Sequence, residues 1–138
     1  MNKFSNIIKK LESSNSRLFK EKIILDEMEK KNNDFFEGLF YACDRLKTFG
    51  VKKIPISDKD GNGLDWSEFK IFLNRLIDRD FTGYSARDKI IEMMRLSLMD
   101  QWNYFYRRIL IKDLRCGLSE KTINNVAKKN NFEEYLIP

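Results

Sequence analysis

Apolar residues recur at helical spacing along most of the chain. Phe4, Ile7, Ile8 and Leu11 fall at i, i+3, i+4 and i+7 and make one face of a short first helix. The run Ser13, Ser14, Asn15, Ser16 breaks it. A second helix starts near Ser16 and carries Leu18, Ile24, Leu25 and Met28 opposite a charged face. Asn32, Asn33 and Asp34 form a turn and cap signal. A third helix follows, with Phe35, Phe36, Leu39, Phe40, Cys43 and Leu46 as its stripe. From Phe49 to Pro55 the chain runs extended, and 57–63 reads as a surface loop. Asp65, with Glu68 three residues on, caps a fourth helix built on Phe69, Phe72, Leu73, Leu76 and Ile77. A turn at 82–85 opens a fifth helix that runs to about Leu98. Asp100 caps a sixth, with Trp102, Phe105, Tyr106, Ile109 and Leu110 inward, and Gly117 is its expected stop. Ser119 caps a seventh, with Ile123 and Val126 inward, and Phe132 to Pro138 reads as a tail leaving the domain. The expectation is an all-α fold: one compact helical domain of six to seven helices over 1–131, with a linker beginning at 132–138.

Length and composition agree with that fold. At 138 residues, 42% hydrophobic and 34% charged, the chain can bury a core of its own. No apolar run approaches ~18 residues, so no membrane partner is expected. The first ten residues are too interrupted by polar side chains for a signal peptide, and a cytoplasmic location is expected. Cys43 and Cys116 are read as free thiols.

Histidine is absent, which removes the commonest general base and metal ligand. No phosphate-binding glycine loop ending in Gly-Lys-Ser/Thr occurs. Lys59-Asp60-Gly61 lacks the spacer of the Lys-x-Asp-Gly motif that forms lysyl adenylates. Asp58, Asp60, Asn62 and Gly63 imitate the first half of a calcium-binding EF-hand loop. Its second half fails, because Phe69 stands where the bidentate Glu belongs and Glu68 is one residue early. No catalytic residue and no metal ligand is therefore assigned, and a polar turn before a capped helix accounts for the loop.

Charge is informative by place. The net charge is +5, and 101–129 carries all of it, with seven basic residues against Asp113 and Glu120. A basic segment on a neutral body suits a polyanion. Within it, 106–123 reads as a basic helix, a glycine turn and a new helix start. Arg115 can fork onto a phosphate, Gly117 lets a backbone approach, and Ser119, Lys121 and Thr122 sit where free N–H groups gather.

The run Arg-Arg-Ile-Leu-Ile-Lys-Asp-Leu-Arg-Cys-Gly-Leu-Ser-Glu-Lys-Thr-Ile at 107–123 resembles the end of the N-terminal helical DNA-binding domain of ATP-dependent DNA ligases, in the compact form of T-even-like phages. Lys52, Lys53, Ile54 and Pro55, and the Phe-Thr-Gly-Tyr-Ser-Ala run at 81–86, agree. The likeness covers about 35–130; Tyr-Ser-Ala stands where Asn-Ala often follows Thr-Gly. It implies a domain that grips duplex DNA, nicked in the parent enzyme's substrate, by its phosphates and minor-groove face. Covalently joined nucleotidyltransferase and OB-fold domains would use ATP and Mg to join strands in replication, repair and recombination; no cofactor is implied for this segment. Carried over by position, the binding residues are Arg115, Gly117, Ser119, Lys121 and Thr122 with Lys112, then Thr82, Gly83 and Ser85, then Lys52 and Lys53. A rival reading is a helix-turn-helix regulator, with Ser119, Lys121, Asn124 and Asn125 reading bases. A calcium-binding module is a third.

Overall fold

The computed structural model describes residues 3–138; Met1 and Asn2, at the start of the segment read for a signal peptide, lie outside them. Seven α-helices and no strand occur among the described residues. They are α1 (Lys3–Glu12), α2 (Arg17–Glu29), α3 (Asn33–Cys43), α4 (Trp66–Ile77) and α5 (Gly83–Leu96), then α6 over residues 99–110, and α7 (Glu120–Lys129). No described helix is long and apolar enough to cross a membrane.

The helices form where the apolar spacing puts them because each stripe is buried against another. Ile7, Ile8 and Leu11 of α1, Ile24 and Met28 of α2, and Phe35, Phe36 and Leu39 of α3 are all buried. α1 and α3 pack on α6, and α2 packs on α7. Aromatic rings fill the centre: Phe35 stacks on Phe105 at 5.7 Å between centroids, and Phe69 on Tyr106 at 4.1 Å.

α6 is three pieces in one rod. Met99–Gln101 and Arg107–Leu110 are α-helical, and Trp102–Tyr106 between them is a π turn. There the Arg107 N–H reaches back five residues to the Trp102 carbonyl. Trp102, Phe105 and Tyr106 all point inward from this turn.

The extended stretch after α3 lies along α6 and is held by its side chains. Arg107 Nε donates to the Ile54 carbonyl at 2.9 Å, and Trp102 Nε1 to that of Pro55 at 2.9 Å. Asn103 bonds the Ser57 N–H and C=O at 2.8 and 3.0 Å. Gln101 does the same for Leu64, at 3.0 and 2.8 Å. Backbone groups of Ile54, Pro55, Ser57 and Leu64, in a segment with no secondary structure, thus find partners on α6.

Five expectations are corrected. Leu18 and Leu46 belong to no buried stripe: they are 79% and 89% exposed, and α3 ends at Cys43 before Leu46. α6 does not run to Gly117. It stops at Ile111, and Lys112 takes the left-handed conformation (φ 57°), its N–H bonding the Ile109 carbonyl and that of Asp113 the Arg108 carbonyl. Asp100 does not cap α6; it pairs with Lys9 at 2.6 Å, and the Asp60 carboxylate takes the Met99 N–H at 2.7 Å. Asp65 occupies the cap of α4 without a side-chain hydrogen bond. The stretch 132–138 lies on the body, with a short 3-10 turn (Glu133–Tyr135). Tyr135 and Ile137 are buried, Tyr135 packs on Phe36, and the Asn124 amide holds the Ile137 N–H and C=O at 2.7 and 2.9 Å.

Candidate nucleic-acid interface

The 58–63 loop is built as a dock for the end of α5. Gly61 and Gly63 N–H groups donate to the Ser97 and Leu96 carbonyls, both at 2.8 Å. A Cβ on Gly61 would stand 2.1 Å from the Arg95 carbonyl oxygen, so the residue is glycine for close backbone contact. Phe69 is in the core and Glu68 is exposed. With Asp60 spent on α6, the loop's residues are accounted for by packing, and no cluster of metal-ligating side chains occurs among the described residues.

The basic segment divides into cations that are used inside and cations that are not. Lys112 belongs to the first group. Its ammonium donates to the carbonyls of Tyr41, Asp44 and Lys47 at 2.8, 2.7 and 2.6 Å. Those carbonyls line the last turn of α3 and the bend that follows it, and three bonds exhaust the ammonium's three hydrogens. Burial pushes its pKa below the usual lysine value, partly offset by the Asp44 charge. Lys112 therefore leaves the set of phosphate donors expected from sequence. Arg108 is equally committed, to Glu12 at 2.8 Å and the Leu114 carbonyl at 3.0 Å. Lys20, from α2, donates to the Cys116 carbonyl at 2.7 Å. That ammonium fills the space beside Gly117 (φ +68°), where a Cβ would stand 2.3 Å from Lys20 Nζ. Gly117 thus serves a left-handed turn and the seat of Lys20.

Ser119 caps α7: its Oγ accepts the Thr122 N–H at 3.2 Å and lies 3.2 Å from the Thr122 hydroxyl. Lys121 is exposed. At the start of α5 the Ser85 hydroxyl bridges the Thr82 N–H and C=O at 3.1 and 2.8 Å, while Thr82 and Gly83 stand in the open. Neither helix start lines the groove that brings the other candidates together.

That groove has a volume of about 740 Å³. Lys52 and Lys53 enter it from the extended stretch, Arg87 and Ile91 from α5, and Arg107, Ile111, Asp113 and Arg115 from α6 and the loop after it. Its floor is Ile54, Pro55, Ile91 and Ile111, and five cations face one acid around it. Asp113 answers only Arg115, at 3.9 Å with both side chains exposed. The Arg115 backbone is left-handed (φ 53°) and its N–H bonds Asp113 Oδ1 at 3.0 Å, which fixes the direction in which the side chain leaves. Arg87 lies 4.9 Å over the ring of Tyr84, itself 78% exposed. Arg87 and Arg107 were not among the residues expected from sequence. Arg107 lies in the basic run, whereas Arg87 sits in a balanced stretch with no local signal.

This arrangement does not suit a reader of bases through a helix-turn-helix. Such a motif joins its helices by about three to four residues, and here 111–119 separates α6 from α7. Asn124 is occupied by the Ile137 backbone. Cys43 and Cys116 are free thiols, as read from sequence, and burial raises both, Cys43 to about 11.

Two solved structures share this fold. One, named "Pmar-Lig_Pre.", is 51% identical with a TM-score of 0.92, over 98% of this chain and 31% of its own. The other, "Pmar-Lig_PreS3", is 52% identical, also with a TM-score of 0.92 and the same coverage. This chain is a ligase-related domain. It spans 31% of the length of either neighbour. No family model and no curated protein matches it. In the ligase-related domain the groove gathers positive charge that is answered only by long, exposed pairs, Arg87 with Asp88 and Arg115 with Asp113, both at 3.9 Å.

Proposed function

We propose that the chain is the double-stranded-DNA-binding domain of an ATP-dependent DNA ligase of the T-even-phage type. It grips the phosphate backbone around a nick, and covalently joined nucleotidyltransferase and OB-fold domains, using ATP and Mg, carry out strand joining. The observation that carries this reading is the groove: Lys52, Lys53, Arg87, Arg107 and Arg115 converge on an apolar floor in a domain half identical to ligase-named proteins. Cationic side chains of this kind suit phosphates, which position a duplex without reading its sequence.

Fluorescence anisotropy on labelled duplexes of unrelated sequence, intact and nicked, tests it. Binding should be indifferent to sequence and should weaken steeply with salt, by about 0.9 in the log–log slope per phosphate neutralised. Arg115→Ala should weaken every duplex equally and flatten the slope by about one. A preference for one sequence that Arg115→Ala abolishes, or no duplex binding at low salt, would overturn the assignment.

A further inference from the structure

The five cations of the groove are not equivalent. Arg107 alone is fixed by the fold, through Nε to the Ile54 carbonyl at 2.9 Å. Its two Nη groups make no hydrogen bond, and no carboxylate lies within ion-pair distance of it among the described residues. Arg108, one residue on, is the contrast: Glu12, the Leu114 carbonyl and the Tyr104 ring all hold it. Arg107 is partly buried and has Arg115 and Arg108 as charged neighbours; burial first, and those like charges second, lower its pKa. Its guanidinium stands beside two like charges with no carboxylate among the described residues to answer it, and an anion relieves that repulsion.

We infer that Arg107 is the fixed donor of a phosphodiester subsite on the floor of the groove, its two free Nη groups forking onto the non-bridging oxygens of one DNA phosphate. The inference rests on the duplex-binding reading above and deepens it. With Nε tied down, the guanidinium plane is set before the ligand arrives, so little side-chain freedom is lost on binding. Lys52, Lys53, Arg87 and Arg115, which are exposed, follow the neighbouring phosphates as mobile charges.

The test compares Arg107→Met and Arg107→Lys with the unaltered chain, on one mixed-sequence duplex across a salt series, with melting temperatures. Arg107→Met should bind about tenfold more weakly, with a salt slope smaller by about 0.9, and should melt slightly lower, because the Ile54 carbonyl loses its donor. Arg107→Lys should keep the slope and lose several-fold in affinity, because a point charge cannot fork. Should Arg107→Met prove too unstable to study, the lysine variant decides, since full affinity there sinks the subsite. Unaltered duplex binding in Arg107→Met overturns the inference while leaving the duplex reading intact. Failure of the unaltered chain to bind duplex overturns the duplex reading itself.

Discussion

The inner and outer cations of residues 107–115 differ in one respect only, the partner each has found. Arg108 and Lys112 face the body and are saturated by Glu12 and by four backbone carbonyls. Arg107 and Arg115 face the groove, whose one acidic lining residue among the described residues is Asp113. The same residue types, within one short run, therefore do opposite work. A count of basic residues cannot separate a helix cap from a phosphate donor; the acceptors already in place can.

Four substitutions or measurements would break or sharpen that contrast. Lys112→Met should have the largest effect. It leaves the α3 carbonyls without donors and should cost about 2–3 kcal/mol in urea unfolding, while the folded fraction keeps its duplex affinity. A lost affinity with unchanged stability would place Lys112 on the outer side. Gly117→Ala comes next, at about 1–2 kcal/mol, from a positive φ and a displaced Lys20; its salt slope should not move. Arg108→Ala and Arg115→Ala form a crossed pair of about 1 kcal/mol each. The first should lower the urea midpoint and leave binding alone, and the second should do the reverse. Equal effects on both readouts would dissolve the distinction.

The smallest effect concerns the thiols. Burial raises Cys43 from the ordinary thiol value of 9.0 to about 11. The folded state thus holds that proton more tightly than the unfolded chain. Its contribution to stability is complete below pH 9 and is lost as pH rises toward 11. Lys112, whose pKa is lowered, acts in the opposite sense: the folded state is relieved as the ammonium deprotonates. Native thiol titration with a disulfide reagent at pH 8 should be slow for both cysteines and fast in denaturant. Rapid reaction of Cys43 in the native state would show that the end of α3 opens, and with it the Lys112 cap.

The helices were legible in the sequence because each buried stripe repeats at helical spacing, and the seven expected helices are present. The errors share a cause. Leu46 fits a stripe by spacing, yet α3 has ended before it, and Leu18 lies in the first turn of α2, on the side that faces solvent. The stop at Lys112 was hidden because a lysine in the left-handed conformation is uncommon, whereas Gly117 offered an obvious stop that the helix never reaches. The site was legible only in part. Lys52, Lys53 and Arg115 were expected and do meet. Their meeting depends on the extended stretch being laid along α6 by Gln101, Trp102, Asn103 and Arg107, which no local pattern announces. Arg87 joins from α5 across a similar gap in sequence.

The π turn in α6 sets the angular phase between two ends of one rod. An α-helix advances about 100° per residue, so one residue more or less rotates everything beyond it by that amount. Upstream of the turn, Gln101 is clocked to Leu64; downstream, Arg107 is clocked to Ile54. Shortening Trp102–Tyr106 by a single residue would let the helix close with ordinary α bonds and would keep its length nearly the same. Because a π turn spends about one residue more per revolution than an α turn, the downstream end would still face the same way, with Arg107 near Ile54 and Lys112 at the end of α3; only a residue added or removed in the α-helical parts of the rod would turn it by about 100°. A locally less regular helix is thus where the rod takes up one extra residue while the cap and the groove stay in step, and a single insertion or deletion in its α-helical parts should be tolerated less well than the loss of one residue from 102–106.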